Sequence, residues 1–209
     1  LTTICYRING KTTYAMEGSI FIAGAGVQWL RDRMKFFKKA PETEKIVKSL
    51  KNNNGIYLVP AFTGLGAPYW NANSRGVLSG ITRDTSPKEI VRATIEAVAY
   101  QTYDLFEAMK HDGLRPKIVK VDGGMVMNNW FSQFLSDVVN VKVLRPKVQE
   151  TTAAGAAFMA GLKIGVYKSL KDISKNWHLD RNFSPRMKNK SRNVLIKGWS
   201  TAIKRTLIN

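Results

Sequence analysis

Between Lys117 and Val139 the chain changes its hydrophobic period within a few residues. Lys117-Ile118-Val119-Lys120-Val121 is rich in β-branched residues and predicts a strand. Asp122-Gly123-Gly124 then turns the chain, and Phe131, Phe134, Leu135 and Val138 follow at the three- and four-residue spacing of an amphipathic helix. In α/β sheets, ligands settle beyond the carboxyl ends of strands, where such turns lie. Two glycines let backbone approach a ligand, and a helix start offers free N–H groups to an anionic or polar group. A lone Gly-Gly turn is also common without any ligand, so an ordinary tight turn stands beside the nucleotide or phosphate reading. Asp122 is expected to cap the turn or the helix.

The same patterning sets out the rest of the chain. Thr2 to Ile8 and Thr12 to Ala15 predict two strands joined at Asn9-Gly10, a hairpin turn. Ser19 is expected to cap a helix with a core stripe of Ile20, Ala23, Val27, Leu30 and Met34. Gly24 and Gly26 inside it each cost about 1 kcal/mol relative to alanine, which points to close packing or to close approach of a ligand. Gln28 lies one turn beyond Gly24 on the same face. A short surface helix is expected over Pro41 to Leu50, a turn at Asn52 to Gly55 and a strand over Ile56 to Val59. The loop Pro60 to Trp70 carries two prolines, two glycines and three aromatics, a length and composition expected of functional or docked loops. A strand over Gly76 to Thr82 follows it.

Ser86-Pro87-Lys88-Glu89 predicts a capping box opening a long helix with a stripe of Val91, Ile95, Val98, Leu105 and Met109. Glu96 and Gln101 within it are read as solvated or structural. Further on, Val141 to Leu144 predicts a strand, and Thr151 to Gly165 a helix of small residues able to pack very close to a sheet. A short helix near Leu170 to Asn176 and a basic one near Arg192 to Leu207 complete the pattern. This alternation of strands and helices predicts an α/β layered fold without internal repeats.

Composition narrows the function classes. The 209 residues are 44% hydrophobic and include five tryptophans, enough for a buried core. One cysteine, Cys5, excludes an intrachain disulfide framework and suits a reducing, cytoplasmic setting. No apolar run is long enough for a membrane span. The formal charge of +18 raises nucleic acid as a partner, and residues 163–209 hold twelve Lys or Arg against two acids. No nucleic-acid-binding signature accompanies them, so a basic solvated surface is the expectation. His111 and His178 have no metal-binding spacing, and neither a Walker lysine nor a G-x-S-x-G elbow occurs.

Several segments in fixed order resemble the FGGY carbohydrate kinases, and among them those acting on glycerol. They are Tyr14 to Ser19, Ala23 to Asp32, the Pro60 to Trp70 loop, Arg92 to Glu96, Ala99 to Thr102, Val121 to Gly124 with Asn128-Asn129, and Thr152 to Ala157. The resemblance fades after about Arg186. It implies an actin-like, ribonuclease H-like fold of two domains with ATP in the cleft between them. Residues 1–165 correspond to the C-terminal nucleotide-binding domain, incomplete at its start, and 166–209 to a basic helical extension packed on it. Gly24, Gln28, Gly124 and Asn128 match the family's contacts on the adenosine side of ATP.

The family's catalytic Asp, its substrate-binding residues and its phosphate loops match nothing in this chain, and no Mg²⁺ ligand is expected here. The resemblance therefore implies a fragment that binds ATP or ADP, meets glycerol only with an N-terminal half, and is inactive alone. A kinase of another polyol or sugar, a non-catalytic remnant, and a homo-oligomer when complete are the alternatives left open.

Overall fold

In the computed structural model, which describes residues 1–208, the chain is organised around one enclosed helix. Asn209, the last residue of the segment 166–209, lies outside the described residues. Strand β1 (Thr2–Ile8) pairs antiparallel with β2 (Lys11–Met16). Asn9 and Gly10 both take positive φ, as a two-residue hairpin turn requires. Helix α1 (Gly24–Asp32) and helix α2 (Glu42–Lys48) follow, then β3 (Tyr57–Val59) and β4 (Val77–Ser79), an antiparallel pair.

The central helix α3 (Pro87–His111) begins with the expected capping box: Ser86 Oγ accepts from the Lys88 N–H, and the Ser86 N–H donates to Glu89. From Val91 to Gln101 every residue is buried, so this helix is enclosed on all faces rather than along one stripe. Helices α1 and α2 and strand β3 pack around it, with α4 (Asn129–Val139) on a further side. Ala93, Ala97 and Ala99 keep its surface low enough for that enclosure.

A three-stranded sheet holds β5 (Ile118–Lys120), β6 (Lys142–Pro146) and β7 (Leu179–Phe183) in the order β5-β6-β7. Strands β5 and β6 are parallel, with Val119 opposite Val143, and α4 lies in the connection between them. Helices α5 (Thr151–Lys163) and α6 (Leu170–Ser174) separate β6 from β7, whose Phe183 lies opposite Val143 in an antiparallel pair. Helix α7 (Asn189–Leu207) returns over the core, where Trp199 stacks on Tyr100 with ring centroids 5.3 Å apart. Gly198 permits that approach, because a Cβ there would collide with the Tyr57 ring and hydroxyl. No helix of the described residues is long and apolar enough to cross a membrane.

Several expectations from the sequence are corrected. Helix α1 starts at Gly24 and not at Ser19, whose carbonyl instead accepts from the Ala67 N–H. Ile20 and Ala23 therefore precede the helix, and Met34 lies beyond it and is exposed. The small-residue helix α5 does not seat closely on a sheet. Its alanines are mostly exposed, and within it Gly161 alone is buried, with the Tyr167 ring against it. Strand β7 had no clear signal: Leu179 to Asn182 are exposed, and only Phe183 turns inward, as on an edge strand. The segment after α5 thus includes a strand besides its helices.

The capping role expected of Asp122 falls to another residue. Asp122 is exposed and makes no side-chain hydrogen bond among the described residues, whereas Asn128 caps α4. Glu96 and Gln101 are buried and structural, not solvated. Arg92 Nε donates to Glu96 Oε1 at 2.7 Å, and the Tyr100 hydroxyl donates to Oε2 at 2.8 Å. Gln101 Nε2 donates to the carbonyls of Ile22 and Ala97. Burial raises the pKa of the Glu96 carboxyl despite the facing guanidinium.

Candidate functional site

A cavity of about 380 Å³ opens between α1, α2 and the start of α4. Gly24, Val27, Gln28 and Arg31, successive positions on one face of α1, form one wall. Helix α2 and the turn before it supply Ala40, Pro41, Thr43 and Glu44. Gly124, Met125, Met127 and Asn128 complete the lining, with Ile95 of α3. The four residues singled out in the sequence, Gly24, Gln28, Gly124 and Asn128, therefore meet around one cavity, although α1 and α4 are far apart in the chain.

The two helix glycines separate into different roles. A Cβ on Gly26 would sit 3.0 Å from Thr94 Cγ2, so Gly26 serves the contact between α1 and α3. A Cβ on Gly24 would meet no protein atom within 4 Å, so nothing in the packing requires glycine there. That Cβ would enter space beside the cavity. Gly124 is alike, with nothing within 4 Å, while Gly123 takes φ +83°, the left-handed region that favours glycine.

The Gly-Gly turn does not run straight into an α-helix. Gly124–Met127 forms a single 3₁₀ turn, and α4 starts only after Asn128. Buried Arg145 of β6 holds that turn from behind. Its Nη1 donates to the Val126 carbonyl at 2.7 Å, and its Nε donates to Asp180 Oδ2 at 2.7 Å. Ser132 Oγ adds a bond to the Val126 carbonyl at 2.9 Å. The turn is thereby fixed by a strand and a helix, which is how a short irregular segment keeps one shape.

Helix α2 was expected at the surface, and its part in the cavity had no signal along the chain. Glu44 Oε2 accepts from the Asn129 N–H at 3.2 Å, which satisfies a free donor in the first turn of α4. Burial raises the Glu44 pKa, but bonds from Lys48 and Asn129 more than offset it and leave the carboxyl below its usual range. Thr43 is buried, and its Oγ1 sits 3.4 Å from Asn128 Nδ2. The cavity therefore has apolar methionine surfaces, two Cβ-free walls and amides at Gln28 and Asn128. Such a lining suits a flat heterocycle with polar edges.

The Pro60 to Trp70 loop lies elsewhere. Its Leu65 pairs with Asn71 in an isolated bridge, and the Tyr69 hydroxyl docks on Asp104 of α3. It contributes no residue to this cavity.

Comparison with known proteins agrees with this architecture. The chain is 55% identical over 205 residues to glycerol kinase 1 of Pseudomonas aeruginosa, and 50% identical over 208 residues to a glycerol kinase of Clostridium botulinum. These alignments cover 98% and 99% of this chain and 42% of each relative. The chain thus spans about two-fifths of the length of the curated relatives it matches. Among solved structures, Plasmodium falciparum glycerol kinase with ADP superposes with a TM-score of 0.89 at 38% identity, over 100% of this chain and 42% of that one. A xylulose kinase of Lactobacillus acidophilus, 22% identical over 96% of this chain and 40% of its own, shares the fold with a TM-score of 0.78. The expected actin-like, ribonuclease H-like α/β fold is thereby established. With residues 5–164 matching the model of its C-terminal domain, the chain belongs to the FGGY family of carbohydrate kinases.

Proposed function

We propose that this chain forms the adenosine side of the ATP site in a kinase that transfers the γ-phosphate of ATP to glycerol. The observation that carries the reading is the convergence of Gly24, Gln28, Gly124 and Asn128 on one cavity. Relatives named glycerol kinase, one of them with ADP, support the nucleotide and the acceptor. Gly24 and Gly124 leave room for the ligand to lie against backbone, the methionines offer apolar contact to a base, and the two amides address its polar edge.

Phosphoryl transfer also needs a divalent ion, phosphate-holding groups and a residue orienting the nucleophile. When bound, Mg²⁺ supplies charge neutralisation at the phosphates; no ligand for it is assigned to this chain. The residues around the cavity hold and orient the nucleoside, and none of them is given a part in the chemistry at the phosphates. By itself the chain is therefore expected to bind ATP without turning it over.

Thermal-shift titration with Mg-ATP tests the binding, because a ligand that binds only the folded form raises its stability with concentration. The expected result is a saturable rise that is lost in Gln28→Ala and Asn128→Asp. No rise in the unaltered chain overturns the reading. Formation of glycerol 3-phosphate from ATP and glycerol by this chain alone would overturn the expectation of inactivity.

A further inference from the structure

The Asn128 amide has its orientation determined from both ends. Its Oδ1 accepts from the Phe131 N–H at 3.0 Å, the N-cap bond of α4. Its Nδ2 lies 3.4 Å from Thr43 Oγ1. The Thr43 hydroxyl has only one proton, and it donates to the Ala40 carbonyl at 2.7 Å. Toward Asn128 that oxygen can therefore only accept. Flipping the amide would break the helix cap and set a carbonyl against an oxygen that has no proton left to give.

We propose that Thr43 is a positioning residue for the nucleotide: it holds the Asn128 amide so that an N–H, not the carbonyl, faces the cavity, and thereby selects a base bearing a hydrogen-bond acceptor on that edge. This rests on the reading of the cavity as the adenosine site. The geometry provides the means. An amide nitrogen carries two protons; Thr43 takes one, and the other is left for the cavity that both residues line. The carboxylate of Glu44, accepting from the Asn129 N–H, keeps α2 and therefore Thr43 in register with α4. In adenine the ring nitrogens N1, N3 and N7 are the acceptors able to receive such a bond.

Two conservative changes separate this role from plain packing. Thr43→Val keeps the shape and removes the hydroxyl, and Thr43→Ser keeps the hydroxyl. Equilibrium binding of Mg-ATP to the full chain should weaken roughly two- to tenfold in Thr43→Val, the range of one modest hydrogen bond, and recover in Thr43→Ser. The 1-deaza, 3-deaza and 7-deaza analogues of ATP extend the test. One of them should bind the unaltered chain more weakly than ATP and lose that disadvantage in Thr43→Val.

A readout without nucleotide accompanies these, namely the NMR cross-relaxation between the Asn128 side-chain NH₂ and the Thr43 side chain, expected in the unaltered chain. Equal binding of ATP and all three analogues by the unaltered chain overturns the proposal, as does unweakened binding of ATP by Thr43→Val. So does an absent Asn128–Thr43 contact while ATP still binds, which leaves the adenosine reading intact. If the contact is present and ATP does not bind, the adenosine reading falls and the role of Thr43 toward a nucleotide falls with it.

Discussion

The Tyr69 hydroxyl donates to Asp104 Oδ2 across 2.8 Å, tying the Pro60 to Trp70 loop to the central helix of the chain. The same oxygen accepts from Trp199 Nε1 at 2.6 Å, so one carboxylate joins that loop, α3 and α7. Burial pushes the Asp104 pKa up to about 6, and the two donors only partly counter it. Between the unfolded value of about 4 and the folded value, the folded state holds the proton more tightly than the unfolded one. The favourable contribution is therefore complete below about pH 4 and is lost as pH rises through about 6. Stability attributable to this group should drop by on the order of 2 kcal/mol across that window. Urea denaturation of the unaltered chain and of Asp104→Asn from about pH 4 to 7 checks it: the difference between them should slope over this range and level off above it.

Glu96 and Arg92 are an ion pair inside a helix segment that is buried on every side. Removing one partner leaves the other charge buried and unpaired, which costs about 3–5 kcal/mol. Arg92 also donates to the Leu50 carbonyl and lies over the Trp130 ring, its guanidinium carbon 5.0 Å from the centroid. Glu96→Ala and Arg92→Ala should each lower the denaturation midpoint strongly. The double variant should cost clearly less than the two single losses added together.

Asn128 both caps α4 and lines the cavity, so its substitutions are expected to divide. Asn128→Ala removes the cap and should cost about 1 kcal/mol of stability as well as nucleotide affinity. Asn128→Asp keeps an acceptor for the Phe131 N–H but sets a carboxylate oxygen against Thr43 Oγ1. It should therefore retain the cap, lose stability only through that facing pair of acceptors, and lose the N–H donor. Denaturation and ATP titration of both variants make the comparison.

Gly24 and Gly26 lie in the same turn of α1 and should behave differently. Gly24→Ala adds a methyl that touches no protein atom, so stability should hold or rise slightly while ATP binding weakens. Gly26→Ala presses Thr94 Cγ2 at 3.0 Å, an overpacking cost of about 1–3 kcal/mol set against a helix-propensity gain of about 1 kcal/mol. It should therefore gain less stability than Gly24→Ala or lose some. Gln28→Ala removes an exposed side chain with no partner among the described residues, so only the binding should change. Thermal denaturation beside ATP titration of the three variants separates the two effects.

Local chemistry was enough to read most elements. Asn9-Gly10 announces its hairpin because few residue pairs tolerate two positive φ values, and Ser86 to Glu89 announces α3 because each capping group lies within three residues of its partner. The stripe Phe131, Phe134, Leu135 and Val138 is buried as its spacing required. Gly24, Gln28, Gly124 and Asn128 were singled out by residue type and by resemblance, which need no distances.

Relations between distant segments left no such mark. Ser19 looks like a cap, yet the Ala67 N–H takes its carbonyl and α1 begins only at Gly24. Arg92 and Glu96 stand one helical turn apart, but the cover that removes them from water comes from α2, α4 and β3 and has no signature in their own stretch. Strand β7 exposes most of its side chains, so it is defined by pairing with β6 and not by its own polarity. Thr43 and Glu44 reach the cavity only because α2 packs against α4, across an 85-residue separation. The starts of helices and turns, and the apolar faces, were written in the order of residues, since those depend on neighbours a few positions away. Which of these faces enclose α3 and which line the cavity was settled by packing in three dimensions, because that is a contest among all surfaces for the same buried volume.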